Sequence, residues 1–238
     1  MSLIIRPLLP VIVLLLLSAA IATAGDSTTR PAATQPVGKL PHIAVDVRDR
    51  EVRVDCFTVA ADYPLEFLAV VTDTNEYEAI VRSDAKASDL HLALLILGLQ
   101  PGEPAHFSAD NQLLPPTGPL IDIYFEYQKD GKTTRIPAYQ WMRDIDTKKA
   151  CDNFVWCFTG SQFLDNGQYG ANATGQLIGV VNNALTVIDV PELKSRHMES
   201  RQWERNTDAM PPLNTPVTMI ITPSTQPEAA ATRPASGH

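Results

Sequence analysis

Cysteine is scarce in this sequence, and its placement excludes several classes of site. The chain has three cysteines, none of them before Cys56, so a lipid-modified cysteine near the N-terminus is excluded. An odd number leaves at least one thiol unpaired even in an oxidising compartment. No Cys-x-x-Cys pair occurs, which argues against an iron–sulfur cluster and against a thioredoxin-type redox site.

Pairing among the three cysteines stays open at this level. Cys151 and Cys157 are close in sequence, but FVWCFT (154–159) alternates like a strand. Six extended residues span about 20 Å, whereas the Cα atoms of a disulfide lie roughly 5.5 Å apart, so a bond between these two requires a chain reversal at 152–153. Cys56 lies on the apolar face of a predicted strand and is interpreted as a buried structural thiol, with a bridge to a later cysteine as the alternative.

Clusters of basic residues are absent. Of the 19 Lys and Arg residues only Arg6 precedes residue 25, which leaves 18 against 27 Asp and Glu. Binding to a phosphate backbone depends on concentrated positive charge. We therefore predict no nucleic-acid partner.

Spacings typical of metal and nucleophile sites are missing as well. His42, His91, His106 and His197 are scattered, and neither His-Glu-x-x-His nor His-x-His occurs. The Gly-x-Ser-x-Gly elbow of serine hydrolases does not occur either. The sequence thus predicts no metal site and no cofactor.

The first 24 residues have the features of a secretory signal peptide. Arg6 precedes an apolar run from Leu8 to Leu17, and Ala22-Thr23-Ala24 supplies a small-residue cleavage site before Gly25. The uncharged run is shorter than the ~18 residues that a membrane-spanning helix needs. We predict export to the periplasm or the extracellular space, with no stable membrane insertion after cleavage.

Two segments have the composition of disordered chain. Residues 25–38 and 223–238 are rich in Thr, Pro and Ala and nearly free of large apolar side chains, so they cannot offset the entropy of ordering. They are predicted to be a linker and a tail. Residues 39–222 between them are the size of one domain with its own core.

Short strand-like segments recur through this domain. Alternating or apolar stretches bounded by turn residues occur at 43–47, 52–56, 65–71, 76–81, 121–127, 132–138, 154–159, 176–181, 185–190 and 217–222. They predict a mainly β domain, either a β-sandwich or a curled mixed sheet. The turn residues at 72–75 and at Asn182-Asn183 further predict tight hairpins at those two places.

One buried helix is predicted near residues 89–97. Ser88 is a suitable N-cap, Asp89 suits the positive end of the helix dipole, and Gly98 can end the helix in a left-handed conformation. The intervening LHLALLILGL is apolar on almost every side, which is typical of a helix buried between other elements.

Three glutamates near this helix are candidate site residues. Glu76 and Glu78 are two positions apart on a predicted strand and would share a face, where paired carboxylates can act as general acid and base. A solvated acidic strand face is the favoured alternative. If Val71 pairs with Glu76, Glu66 falls on the apolar face with Tyr77 as its nearest polar neighbour, and a one-residue slip reverses this.

His91 and Ser161 complete the candidates. His91 falls in the first turn of the predicted helix, where the dipole favours a neutral imidazole that can act as base or ligand, although a satisfied core histidine is the favoured reading. Ser161 ends the strand at 154–159 in a Thr-Gly-Ser turn that could present a nucleophile. A turn residue or backbone cap is the simpler interpretation.

Several separated stretches occur together in a characteristic order: PLEFLAVV, NEYEAIV, HLALLILGLQPG, FVWCFTGSQF, YGANATGQLIGVVN and MPPLNTPVTMIITP. They resemble the YdjY-like domain family of exported bacterial proteins, from about Ile43 to Pro223. The resemblance implies one exported domain without an established activity. The family's acidic motif more often reads Lys-Glu-His-Glu, whereas this chain has Asn75, Glu76, Tyr77 and Glu78, so a role for that histidine is not carried over.

Two functional hypotheses follow. The first is a non-catalytic domain of the bacterial cell envelope that binds a small ligand or another envelope protein, or acts as a scaffold. The alternative is a periplasmic hydrolase using Glu66, Glu76, Glu78 and His91, which requires a carboxylate and the imidazole to meet in a cleft. A thiol sensor would need an exposed, acidic thiol, and the apolar pattern around Cys56 argues against it.

Overall fold

The computed structural model describes residues 40–193 and 202–225. In this part of the chain the strands are β1 Ile43–Asp46, β2 Glu51–Thr58, β3 Phe67–Val71, β4 Ala79–Ser83, β5 His106–Phe107, β6 Leu113–Leu114, β7 Leu120–Lys129, β8 Lys132–Pro137, β9 Met142–Asp144, β10 Trp156–Phe158, β11 Gln176–Gly179, β12 Ile188–Asp189, β13 Trp203–Arg205 and β14 Pro216–Pro223. The α-helices are α1 Ala87–Ile96 and α2 Gly170–Thr174, and the 3-10 turns are Glu76–Glu78 and Ala138–Trp141.

The main sheet closes on itself as an eight-stranded barrel. Its strand order is β2, β14, β7, β10, β12, β11, β3 and β4, and β4 pairs back onto β2, while β1 and β8 add to β2 and β7. The predicted mainly β class is confirmed. Of the two predicted architectures the β-sandwich is wrong, because the strands form one mixed sheet that curls until its edges pair. Pairing of Phe57 with Arg82 and of Thr58 with Val81 joins the two edges, a long-range register that periodicity does not show.

Alternation along the strands places the core inside this closed sheet. In β2 the side chains of Val52, Val54 and Cys56 are buried, whereas Arg53 and Asp55 lie on the outer face. β7 alternates in the same way, as period-two patterning predicts. β3 is buried on both faces, which confirms the interpretation of its continuous apolar run.

The predicted helix is present as α1 and contributes to the main core. Leu90, Ala93 and Leu94 are buried in it, while Leu92 is 45% exposed, so the helix is buried on one face and not all round. Gly98 ends it with φ 83°, as predicted. The predicted N-cap is wrong, because Ser88 lies inside the helix and its N–H donates to Oδ1 of Asn172 at 2.9 Å.

Two predicted hairpins are wrong because the strands concerned are parallel. β4 runs parallel to β3, with Phe67 opposite Ala79 and Val71 opposite Ser83. Residues 72–78, including a 3-10 turn, return the chain alongside β3, a shorter connection than the dozen or more residues usual for parallel strands. β12 is likewise parallel to β11.

The residues Lys129-Asp130-Gly131 have the composition of a turn, and β7 and β8 form a hairpin across them. Asp130 and Gly131 both have left-handed backbone conformations, with φ of 51° and 73°. Two successive positive φ values are the signature of the type I′ turn, whose twist matches that of the flanking strands. Local turn chemistry was sufficient to identify this connection.

Several predictions fall on residues outside those described. The signal peptide at 1–24, the linker at 25–38 and all but the first residues of the tail at 223–238 are in this group, and they stay predictions. The tail's first residue, Pro223, ends β14. None of the helices in residues 40–193 and 202–225 combines the length and the apolar composition needed to cross a membrane.

Candidate functional site

Two of the three candidate glutamates come together in the structure. Glu66 comes directly before the first residue of β3, and Glu78 comes directly before the first residue of β4. The Glu66 N–H donates to the Glu78 carbonyl at 3.1 Å. Both residues are buried. Glu66 is buried, but the pairing of Val71 with Glu76 from which this was predicted is wrong, because Val71 lies opposite Ser83 of parallel β4. Glu78 does not share an exposed strand face with Glu76, because residues 76–78 form a 3-10 turn and not a strand.

Glu76 and Tyr77 lie at the surface beside this pair. Glu76 accepts the Asp73 N–H at 2.8 Å and forms an ion pair with Arg82 at 3.1 Å, so it stabilises the turn before β4. The Tyr77 ring is half exposed and packs edge-on against Tyr63, with centroids 5.8 Å apart. These contacts fit a structural role for the acidic stretch better than an acid–base pair.

The two remaining candidates, His91 and Ser161, are joined by a residue that the sequence did not single out. The phenol oxygen of Tyr169 lies 2.8 Å from Nδ1 of His91 and accepts the backbone N–H of Ser161 at 3.1 Å. The imidazole also packs edge-on against Phe158, with ring centroids 5.0 Å apart. Tyr169 thereby links α1 to the segment after β10.

The contacts of this cluster are compatible with a neutral imidazole. The phenol oxygen accepts the Ser161 N–H, and its own proton can be donated to Nδ1 of His91 when that nitrogen is unprotonated. Burial lowers the pKa of His91 and raises the pKa of Tyr169, which favours the same neutral pair. The prediction of a neutral imidazole is supported, although packing and the phenol now account for it.

Ser161 is not an activated nucleophile in this arrangement. Its hydroxyl accepts the Ala171 N–H at 2.9 Å and lies 3.3 Å from the Gln162 carbonyl. Nucleophilic serines require a base within hydrogen-bond reach, and the imidazole of His91 is occupied by the Tyr169 phenol. The interpretation of Ser161 as a backbone cap is confirmed.

The glutamates and the imidazole lie at different ends of the same strands. Glu66 and Glu78 precede parallel β3 and β4, whereas α1, which carries His91, follows the far end of β4. Five strand residues span about 16 Å. Within residues 40–193 and 202–225, no hydrogen bond or ion pair joins His91 to a carboxylate.

A surface cleft that the sequence reasoning missed lies over β2, β14 and β7. Its volume is about 480 Å³, and its lining includes Asp55, Phe57, Asp84 and Glu126. Glu126 is paired with Arg53. In the part of the chain that the structure describes, neither Asp55 nor Asp84 forms an ion pair. The outward alternation of Asp55 and Phe57 was visible in the sequence, but their neighbours come from distant strands.

Asp189 is a second feature that the sequence did not indicate. It is fully buried, and its carboxyl oxygens accept the N–H groups of Val190 at 2.8 Å and of Asn183 at 3.1 Å. Burial raises its pKa to about 7, against the opposing effect of these hydrogen bonds. A lone acid in the apolar run LTVIDV was the available signal. Its bonds organise the loop between β11 and β12.

Neither a disulfide nor a metal-ligand cluster occurs in the part of the chain that the structure describes. Cys56, Cys151 and Cys157 are all buried and unbridged, which leaves none of the disulfides considered from the sequence. Burial raises the pKa of Cys56 to about 12, contrary to what a thiol sensor requires. Among residues 40–193 and 202–225, no three His, Cys, Asp or Glu side chains meet as metal ligands. The absence of a cofactor stays a prediction.

The sequence of this fold matches a known family model. A family model described as the YdjY domain matches residues 43–222. The chain belongs to the YdjY domain family. No curated protein and no solved structure matches it. The match spans β1 to β14 of this YdjY domain, so the cleft, the Tyr169 cluster and the buried Asp189 all lie within the family's shared region.

Proposed function

We propose that this YdjY domain is an exported, non-catalytic binding domain of the cell envelope, and that its ligand occupies the cleft over β2, β14 and β7. The cleft volume of about 480 Å³ falls within the range of roughly 300–1,000 Å³ common for small-ligand sites. Among the candidate catalytic side chains, Glu76, His91 and Ser161 form local hydrogen bonds. Glu66 and Glu78 lie at the opposite end of β3 and β4 from the helix that carries His91. The hydrolase alternative therefore has no converging set among the described residues to support it.

The observation that carries the proposal is that two carboxylates of the cleft, Asp55 and Asp84, have no ion-pair partner among the described residues. The Ser83 hydroxyl donates to the Asp55 carbonyl at 2.6 Å, which holds Asp84, the next residue, beside the strand that carries Asp55. Phe57 adds an aromatic surface that is 38% exposed. Charge complementarity favours a cationic ligand, such as a lysine-bearing segment of an envelope protein.

Isothermal titration calorimetry of the purified protein with a pentalysine peptide tests this proposal. We expect saturable binding that weakens at least tenfold in the double variant Asp55→Asn, Asp84→Asn. The protein has a net charge of −8, so some non-specific attraction of the peptide is expected.

A charge-matched control separates the two effects. The double variant Asp110→Asn, Asp165→Asn removes the same charge from exposed loops outside the cleft. The proposal predicts that this control binds pentalysine as the unaltered protein does. Equal weakening in both double variants, or a titration that does not saturate, would show that the cleft is not the binding site.

A further inference from the structure

Two buried side-chain N–H groups have no hydrogen-bond partner in the described part of the chain. They are Nε1 of Trp141 and Nε of Arg205. Leaving a buried donor unsatisfied destabilises the folded state, and more so when the group is charged, so each such group calls for an explanation. Both groups are donors, so each of them lacks an acceptor.

The two residues are neighbours across one two-stranded ribbon. Arg205 of β13 lies opposite Met142 of β9. The next residue, Asn206, donates its N–H to the carbonyl of Trp141 at 2.8 Å. The unsatisfied donors are thus on directly paired stretches of backbone, although more than sixty positions separate them in sequence.

The side of the ribbon that carries Arg205 faces the core. Directly paired residues share a face of an antiparallel ribbon, and Met142 is fully buried. The opposite face carries Arg143, which bonds Glu204 at 2.7 Å and Asp208 at 3.2 Å. The described residues supply ion-pair partners for the arginine on the outer face and none for the one on the inner face.

No carboxylate of the described residues lies within ion-pair distance of Arg205. Burial lowers the pKa of its guanidinium, and the charge of Asp62 opposes this only in part. A partly buried charge without a direct ion-pair partner is costly in a folded protein. Arg205 as a whole is half-buried, so its site can be approached from solvent.

The Trp141 indole is fully buried and packed against two aromatic rings. It is stacked on Phe125 with ring centroids 4.3 Å apart and contacts the edge of Tyr127 at 5.4 Å. Packing of this kind fixes the direction of a donor before a ligand arrives, which lowers the cost of binding.

We propose that Arg205 and Trp141 form a binding site for a carboxylate group. The guanidinium supplies the positive charge and a planar pair of donors, a geometry that matches a carboxylate, and the indole supplies one further N–H. A single free guanidinium balances one negative charge, because the neighbouring Arg143 is already paired. This favours a monoanionic carboxylate over a dianionic phosphate, and an internal water would leave the charge unbalanced.

The experiment is a ¹H–¹⁵N NMR titration of the purified protein with sodium acetate at constant ionic strength, with sodium chloride as the reference salt. The chain has three tryptophans, and the Trp141→Phe variant identifies the relevant indole signal. We expect the Trp141 Nε1–H and Arg205 Nε–H signals to shift together and saturably with acetate and not with chloride. Inorganic phosphate should bind at least tenfold more weakly than acetate.

Matched variants separate a ligand site from a structural role. Arg205→Lys keeps the charge but lacks the planar donors, and should weaken acetate binding about tenfold, while Arg143→Gln should leave it unchanged. If acetate moves neither signal, or moves them equally in Arg205→Lys, the proposal is wrong. A long-lived water contacting the Trp141 indole with no anion dependence would overturn it too.

A second pair of probes identifies the source of the carboxylate. A tripeptide with a free C-terminus is compared with its amidated form in the same titration. Preference for the free tripeptide over acetate would indicate a chain terminus of a partner. Equal binding of acetate and the free tripeptide would indicate a small organic acid, and tight binding of the amidated form would contradict the carboxylate assignment.

Discussion

The phenol of Tyr169 bridges His91 and Ser161 by lying 2.8 Å from the imidazole Nδ1 and accepting the serine N–H at 3.1 Å. This contact ties α1 to the segment that leads into α2. It occupies Nδ1 of His91, while the Ser161 hydroxyl accepts the Ala171 N–H, so both candidate site residues are parts of the framework.

Replacing this tyrosine tests the structural reading of the cluster. Tyr169→Phe leaves Nδ1 of His91 and the Ser161 N–H without their partner, and we expect the free energy of unfolding to fall by about 1–3 kcal/mol. Urea denaturation at pH 7.5 measures the change. Tyr63→Phe is the matched control at an exposed ring and should be close to neutral. Equal losses in both variants would contradict the assigned role.

Asp189 predicts a specific pH dependence of stability. Its pKa is raised to about 7 by burial, above the 3.8 of the unfolded chain, so the folded state binds the proton more tightly. Its stabilising contribution is therefore complete below about pH 4 and is lost as the pH rises toward and through 7, by roughly a few kcal/mol. Comparing the unfolding free energy of the protein with that of Asp189→Asn from pH 4 to 8 isolates this slope.

His91 acts in the same pH range with the opposite sign, which makes the comparison of variants necessary. Its pKa is lowered by burial, so its contribution is present above about pH 6.5 and is lost as the pH falls through the folded value. The Asp189→Asn variant retains the His91 slope. If the unfolding free energies of the two proteins change in parallel across this pH range, the raised pKa assigned to Asp189 is wrong.

The three cysteines should be inert in the folded protein. Cys56, Cys151 and Cys157 are buried, and burial raises the pKa of Cys56 to about 12, which suppresses the thiolate that reacts. We expect iodoacetamide to label none of them in native protein over an hour, and all three after unfolding, as read by mass spectrometry. Rapid labelling of native Cys56 would reopen the thiol-sensor hypothesis.

Arg205 should contribute little or nothing to stability in the absence of a ligand. Replacing it by Met removes a partly buried charge without a partner, so we expect the free energy of unfolding to rise or to change by less than about 1 kcal/mol. Arg143→Met is the control and should destabilise, because it breaks the contacts to Glu204 and Asp208. A large loss in Arg205→Met would indicate a structural role for this side chain.

Export is tested at the N-terminus of the mature protein. The small residues at Ala22 and Ala24 predict cleavage before Gly25, so Edman sequencing of the secreted form should begin Gly-Asp-Ser-Thr. Ala24→Phe places a bulky residue at the cleavage site and should leave the precursor uncleaved, whereas Ala20→Phe should be processed. A mature protein that retains residue 1 would contradict the signal-peptide assignment.

Local patterns identified much of the fold before the structure was known. The position of α1, its end at Gly98, the turn at Asp130–Gly131 and the buried face of β2 all depend on residues within one or two turns of chain. Such features follow from backbone propensity and periodicity. The parallel direction of β4 was missed because the 3-10 turn at residues 76–78 is defined by contacts with β3 and not by its own composition.

The sequence drew attention to single residues and not to the groups that they form. His91 and Ser161 were predicted as candidate site residues, yet their common partner Tyr169 lies 78 positions from His91. The cleft is formed where Asp55 of β2 meets strands that end near residue 220. Spacing along the chain does not show which of these distant residues come into contact.

Amino-acid order alone thus established the mainly β class, the helix and the buried faces of the strands, because these follow from interactions between residues close in sequence. Folding in three dimensions determined the closure of β4 onto β2, the burial of Glu78 and Asp189, and the unpaired donors of Trp141 and Arg205. Each of these depends on long-range pairing, whose energy is a sum over the whole closed sheet.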